Sequence, residues 1–159
     1  MKKNHYVEAP TRFFPCRYNI TKSVFLGGSI TGAWDWQKQA ADKLLPHFNC
    51  FNPRRANYST FDPTVESEQI TWEHTWLEFC GILLFYFSHE TLAPITLLEY
   101  GAALESTKVT KQKVYACIHP EYKRKNDVII QTKLRNDECS NNIRFDLNET
   151  LDLIIKENL

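Results

Sequence analysis

The segment Gly81-Ile-Leu-Leu-Phe-Tyr-Phe87 is a near-continuous apolar run, followed at once by the polar Ser88-His-Glu-Thr. It has the length of a strand and falls far short of the ~20 residues that span a bilayer. Because it does not alternate with polar residues, both of its faces need cover. A strand of that kind belongs in the middle of a parallel sheet with helices packed on each side.

The flanking sequence supplies those elements. Ser23-Val-Phe-Leu-Gly27 reads as a buried strand running into the tight loop Gly27-Gly28-Ser29. Residues 34–45 read as a helix stopped by Pro46, and His47–Phe51 as a second strand. Residues 56–64 form an excursion before a helix over 65–79. Pro94 suits the first turn of a helix over 94–106. Lys113–Ile118 reads as a further strand, 127–134 as a short helix, and Ile143–Phe145 as a short fifth strand. A closing helix runs over 147–157, with Asp146 or Asn148 to cap it. This alternation predicts a doubly wound parallel sheet of about five strands with helices on both faces. Residues 1–21, with Pro10 and Pro15 and no periodicity, read as an N-terminal arm on the domain or on a neighbouring subunit. Residues 22–159 read as the single domain.

Composition narrows the function. Lys+Arg and Asp+Glu both number 19, so no global charge draws the chain to nucleic acid or an anionic membrane. The five cysteines are odd in number and widely spaced, which argues against a disulfide framework or a zinc knuckle and fits a reducing cytosol. Cys80 and Cys117 lie in apolar runs and read as core residues. No apolar leader opens the chain, and a cytoplasmic location is expected. No segment shows metal-ligand spacing, so neither a metal nor another cofactor is expected.

In such sheets ligands bind beyond the carboxyl ends of the strands. The loops 27–31, 52–55 and 88–93 leave those ends. The helix that follows, Pro94-Ile-Thr-Leu-Leu-Glu-Tyr-Gly-Ala-Ala-Leu104, is apolar nearly all round, and Glu99 sits in its middle. No Lys or Arg stands three or four residues away on either side. A buried carboxylate without a partner is costly, and catalysis is one reason to keep it. An exposed stripe or a partner across the core is the other reading. Gly101, two residues on, costs ~1 kcal/mol relative to Ala and hints at a close approach.

The remaining candidates carry plain structural readings beside functional ones. Gly27, Gly28 and Ser29 make either a strand–helix turn or a backbone cradle for a ligand. Arg54 and Arg55 are either surface charge or a fork for an anion. Trp72 and Trp76 are more often core than a stacking platform. Glu73, between them, faces the strand ends or water. Ser88, His89 and Glu90 occupy the exit loop of the central strand, where Glu90 is either solvated or near the chemistry.

Taken together, Val24–Ile30, Phe51-Asn-Pro-Arg-Arg55 and Phe85–Gly101 resemble the nucleoside 2-deoxyribosyltransferase superfamily, in particular its transferase-like branch. The resemblance covers roughly residues 22–118. It implies a flavodoxin-like sheet and makes Glu99 the match of the family's nucleophilic glutamate. Glu73 falls about where the family places an acidic residue that contacts substrate. Two positions depart from the pattern: Phe25 stands where the familiar transferases have a tyrosine, and Ala93 where they have an aspartate six residues before the catalytic Glu. Glu90 is the loop carboxylate nearest to replace that aspartate. The related nucleotide N-hydrolases share the Gly-Ser loop and bind a 5′-phosphate.

The resemblance implies attack by Glu99 on the anomeric carbon and a covalent deoxyribosyl-enzyme. A second base accepts the sugar in a transferase, and water accepts it in a hydrolase. Glu73 or Glu90 would protonate the leaving base. Gly28, Ser29 and Arg54 would hold the 5′ end, and Trp34 or Trp72 would stack on the base. The expected partners are a nucleoside or nucleotide, a free base and a second copy of the chain. An N-glycosidase of NAD or a cyclic ADP-ribose-like nucleotide, and a non-catalytic nucleotide-binding module, are the alternatives.

Overall fold

The computed structural model describes residues 3–12, 18–56 and 62–159. Its sheet has six parallel strands: β1 (Tyr6–Glu8), β2 (Ser23–Gly28), β3 (Asn49–Asn52), β4 (Ile82–Phe87), β5 (Lys113–Ile118) and β6 (Ile143–Arg144), in the order β1-β3-β2-β4-β5-β6. The helices are α1 (Trp36–Leu44), α2 (Pro63–Phe79), α3 (Pro94–Ser106), α4 (Lys125–Arg135), α5 (Asp137–Ser140) and α6 (Leu147–Asn158). The arrangement is an α/β doubly wound, flavodoxin-like fold.

The apolar run of β4 now has its reason. Ile82, Leu84 and Tyr86 enter the core layer shared with Trp36, Leu44 and Leu151. Leu83, Phe85 and Phe87 enter the opposite layer with Trp72, Trp76 and Tyr100. Period-2 alternation persists in the backbone, but both faces are buried, so no polar residue marks it.

Helix ends follow local chemistry. The Asp62 carboxylate accepts from the N–H groups of Thr64 and Val65, and Pro63 opens α2. Asp146, rather than Asn148, caps α6 by accepting from Glu149 N at 3.0 Å. The sixth strand comes from the segment read as an arm: Tyr6–Glu8 pairs in parallel with Cys50–Asn52. Three residues with one buried side chain, Val7, carry too little pattern to read as a strand. The short α5, four residues between α4 and β6, likewise lies outside the elements that the sequence predicts. Cys50, Cys80, Cys117 and Cys139 are free and buried, while Cys16 and most of the 56–64 excursion lie outside the described residues.

β3 lies on one side of β2 and β4 on the other, so the chain reverses its direction of winding between β2 and β4. Loops splay apart at such a switch point, and the crevice they leave is where these sheets bind ligands.

Candidate active site

A cleft of about 310 Å³ opens at that crevice, on the side covered by α2 and α3. Its floor is the end of β2, with Phe25 and Gly28. One wall is α2, which contributes Glu66, Gln69 and Glu73 along one face. The other is the start of α3 with the loop before it, contributing Thr91, Ala93, Thr96 and Glu99. Pro53 and Arg55 close the end beside β3.

Glu99 and Glu73 meet here from different helices. Burial pushes the Glu99 carboxyl up to about 8, and the nearby negative charge of Glu73 adds to the effect. Burial also raises Glu73, against which the Gln69 side chain pulls in the opposite direction. Gln69 Nε2 donates to Glu73 Oε1 at 2.8 Å and to Pro53 O at 2.7 Å. With its amide group thus oriented, Gln69 steadies the ionised form of Glu73. Glu99 therefore keeps its proton near neutral pH.

Gly28 is required where it stands. Its φ is +139°, and a Cβ there would lie 2.5 Å from Tyr86 O and 2.7 Å from Tyr86 N. The β2 and β4 backbones approach closely beneath the cleft for that reason. Ala93 also has a left-handed backbone, with φ 45°. It stands at the N-cap of α3, where no side chain caps the helix, and Ala93 and the first turn of α3 line the cleft. A non-glycine residue held this way stores local strain.

Several other candidates join into a framework beside the cleft. Ser29 N donates to Tyr86 O at 2.9 Å, and Ser29 Oγ accepts from Ser88 N at 3.1 Å. Ser88 Oγ donates to Glu90 Oε2 at 2.9 Å, and the same oxygen accepts from Trp34 N at 3.0 Å. Trp34 O accepts from the Arg54 guanidinium at 2.9 Å, and Arg54 also pairs with Asp35 at 3.3 Å. These bonds hold Glu90 ionised, below the usual carboxylate range. They lace the ends of β3, β2 and β4 together. Ser29, Trp34, Arg54, Ser88 and Glu90 are thus engaged in this framework, and none lines the cleft.

Arg55 reaches the cleft, one residue beyond the arginine expected there. Its Nη1 pairs with Glu68 at 3.1 Å. A Cβ on Gly27 would lie 3.0 Å from the Phe85 ring, and Gly27 does not line the cleft. Trp72 is core: it is 6 % exposed, and its Nε1 donates to Thr11 O at 3.0 Å. Gln69 was not singled out from the sequence. Its place one helical turn before Glu73, on the same face of α2, was the available signal.

The sequence profile of the nucleoside 2-deoxyribosyltransferase-like family matches residues 21–121, which span β2 to just beyond β5. The chain belongs to the nucleoside 2-deoxyribosyltransferase-like family. No curated protein matches it. The matched stretch of this nucleoside 2-deoxyribosyltransferase-like chain contains the whole cleft lining. Membership implies a small-molecule nucleoside as ligand and glycosyl-transfer chemistry. Among the described residues no helix is long and apolar enough to cross a membrane.

Proposed function

We propose that the chain cleaves or transfers at the N-glycosidic bond of a deoxynucleoside, with Glu99 as nucleophile and Glu73 as proton donor. The observation that carries this reading is the pair of cleft carboxyls with their elevated proton affinity. In the free protein Glu99 holds a proton near neutral pH. As substrate binds, that proton passes to Glu73 and then to a ring nitrogen of the leaving base. Glu99, now ionised, attacks C1′: an Oε–C1′ bond forms and the C1′–N bond breaks. The developing oxocarbenium charge is stabilised by the carboxylate beneath it. A second base, or water, then takes the sugar from Glu99.

The cleft favours an uncharged nucleoside over its 5′-phosphate. Among the described residues, Glu66, Glu73 and Glu99 line it against one cation, Arg55, already paired with Glu68. The uncapped N–H groups at the start of α3 suit a sugar hydroxyl. Phe25 and Ala93 offer no polar group, so the Glu73–Gln69 pair takes over the positioning that Tyr and Asp serve in the familiar transferases. Glu90 acts at one remove, holding the loop that carries Thr91 and Ala93. A second copy of the chain packs over the exposed Ile70, Ile95 and Leu98 at the cleft rim. Replacing Leu98 with Asp is expected to shift the chain to monomer in sedimentation velocity.

The test is chromatography of purified protein with deoxynucleosides and their 5′-monophosphates, each with and without a free base. Base exchange lost in Glu99→Ala establishes a transferase, and release without exchange a hydrolase. Base release from NAD alone would replace this reading with the dinucleotide glycosidase. Binding without turnover would replace it with a nucleotide-binding module.

A further inference from the structure

A second group of reactive side chains stands at the carboxyl edge of the sheet, outside the cleft. β4 and β5 pair up to Phe87 and Ile118, and His119 N continues the ladder by donating to Phe87 O at 2.9 Å. His89 leaves β4 two residues after Phe87, and His119 leaves β5 directly after Ile118. Their imidazole rings lie with centroids 4.0 Å apart and planes 31° from parallel. A tight turn, closed by Tyr122 N donating to His119 O at 2.9 Å, brings Glu121 beside them. One ligand atom from each of His89, His119 and Glu121 lies within 4.8 Å of the others.

We propose that His89, His119 and Glu121 form a binding site for a divalent transition-metal ion of the zinc class. Two imidazoles and a carboxylate are the donor set such ions take, leaving a fourth position for water. Donors around one tetrahedral ion at ~2.0–2.1 Å stand about 3.3 Å from each other. The required contraction is small, and His89 and Glu121 are exposed side chains free to make it. The backbones on either side are fixed by the sheet ladder. His119 Nδ1 now accepts from Glu121 N at 3.2 Å, so an ion taking that lone pair displaces one long hydrogen bond. The two rings sit in a groove that Asp146 also lines. The site thus lies in a field favourable to a cation.

The ion would join the β4 exit loop to the end of β5. That loop also carries Thr91 and Ala93 into the cleft, so metal binding would stiffen one wall of the substrate site without entering it. The inference stands independently of the glycosyl-transfer reading, because it requires only the three side chains.

The experiment is a titration of the untagged full chain with Zn²⁺ against a chromogenic chelator, with Co²⁺ as a spectroscopic substitute. One ion per chain is expected, with visible absorption of a low-coordinate cobalt centre. His89→Ala and His119→Ala should each weaken binding by about tenfold or more, and Glu121→Gln by a smaller factor. Metal-free melting temperatures of these variants should match the parent, since the exchanged groups lie at the rim. Absence of binding at millimolar Zn²⁺ would overturn the proposal. So would unchanged affinity and stoichiometry in the His89→Ala/His119→Ala double variant. Parental affinity in Glu121→Gln would overturn the three-ligand set.

Discussion

At the residue scale, Glu99 and Glu73 are two cleft carboxyls whose proton affinity burial raises. Glu99 binds its proton more tightly in the folded chain than in the unfolded one, where an ordinary carboxyl near 4.5 applies. Between about 4.5 and 8 the folded state therefore holds the extra proton, and stability falls as pH rises through that window. Glu99→Gln removes the penalty. It should leave the melting temperature unchanged at pH 5 and raise stability by on the order of 2 kcal/mol at pH 9, read by calorimetry. The same variant should lose at least about 10³-fold in kcat in the base-exchange assay. In the parent, kcat/KM should decline above pH 8, where Glu99 loses its proton. Glu73→Gln should lower the Glu99 titration midpoint, followed by carboxyl ¹³C NMR, while burial keeps it above an ordinary glutamate.

At the scale of elements, the positions of strand ends matter most. Gly28→Ala would drive a methyl group into the Tyr86 backbone and force a left-handed φ on alanine. A loss of about 3 kcal/mol is expected in urea denaturation, together with loss of activity as the cleft floor shifts. Ala93 behaves in the opposite sense. Ala93→Gly relieves its left-handed backbone and should stabilise the fold by about 0.5–1 kcal/mol in the same measurement. The framework from Arg54 through Trp34, Glu90 and Ser88 to Ser29 explains why these loop residues stood out in the sequence. Polar residues at strand ends serve ligands or tie loops, and their type alone does not separate the two uses.

At the scale of the whole molecule, two aromatic layers hold the sheet between its helices. Phe51 stacks on Trp76 with ring centroids 3.6 Å apart, and Trp76 is fully buried. Val7 of the edge strand β1 and Ala9 just after it complete that layer. Deleting residues 1–9 uncovers the edge of β3 and this apolar surface. The truncated chain should lose roughly 2–4 kcal/mol in urea denaturation and aggregate more readily at its exposed edge.

The sequence by itself determined the order of the elements from β2 through β5, the parallel sheet, the boundaries of α3 and β5, and Glu99 as an anomalous carboxyl in an apolar helix. Those properties are local: periodicity, breakers and caps act over a few neighbouring residues. It also pointed to Glu73. Tertiary structure alone decided that Glu73 approaches Glu99, because the two lie on different helices and meet only when both pack across the sheet. It likewise decided that Arg55 and not Arg54 faces the cleft, since the direction of each side chain is set where the chain leaves β3. The pairing of His89 with His119 was equally invisible along the chain. Thirty residues separate them, and the β4–β5 ladder brings them together.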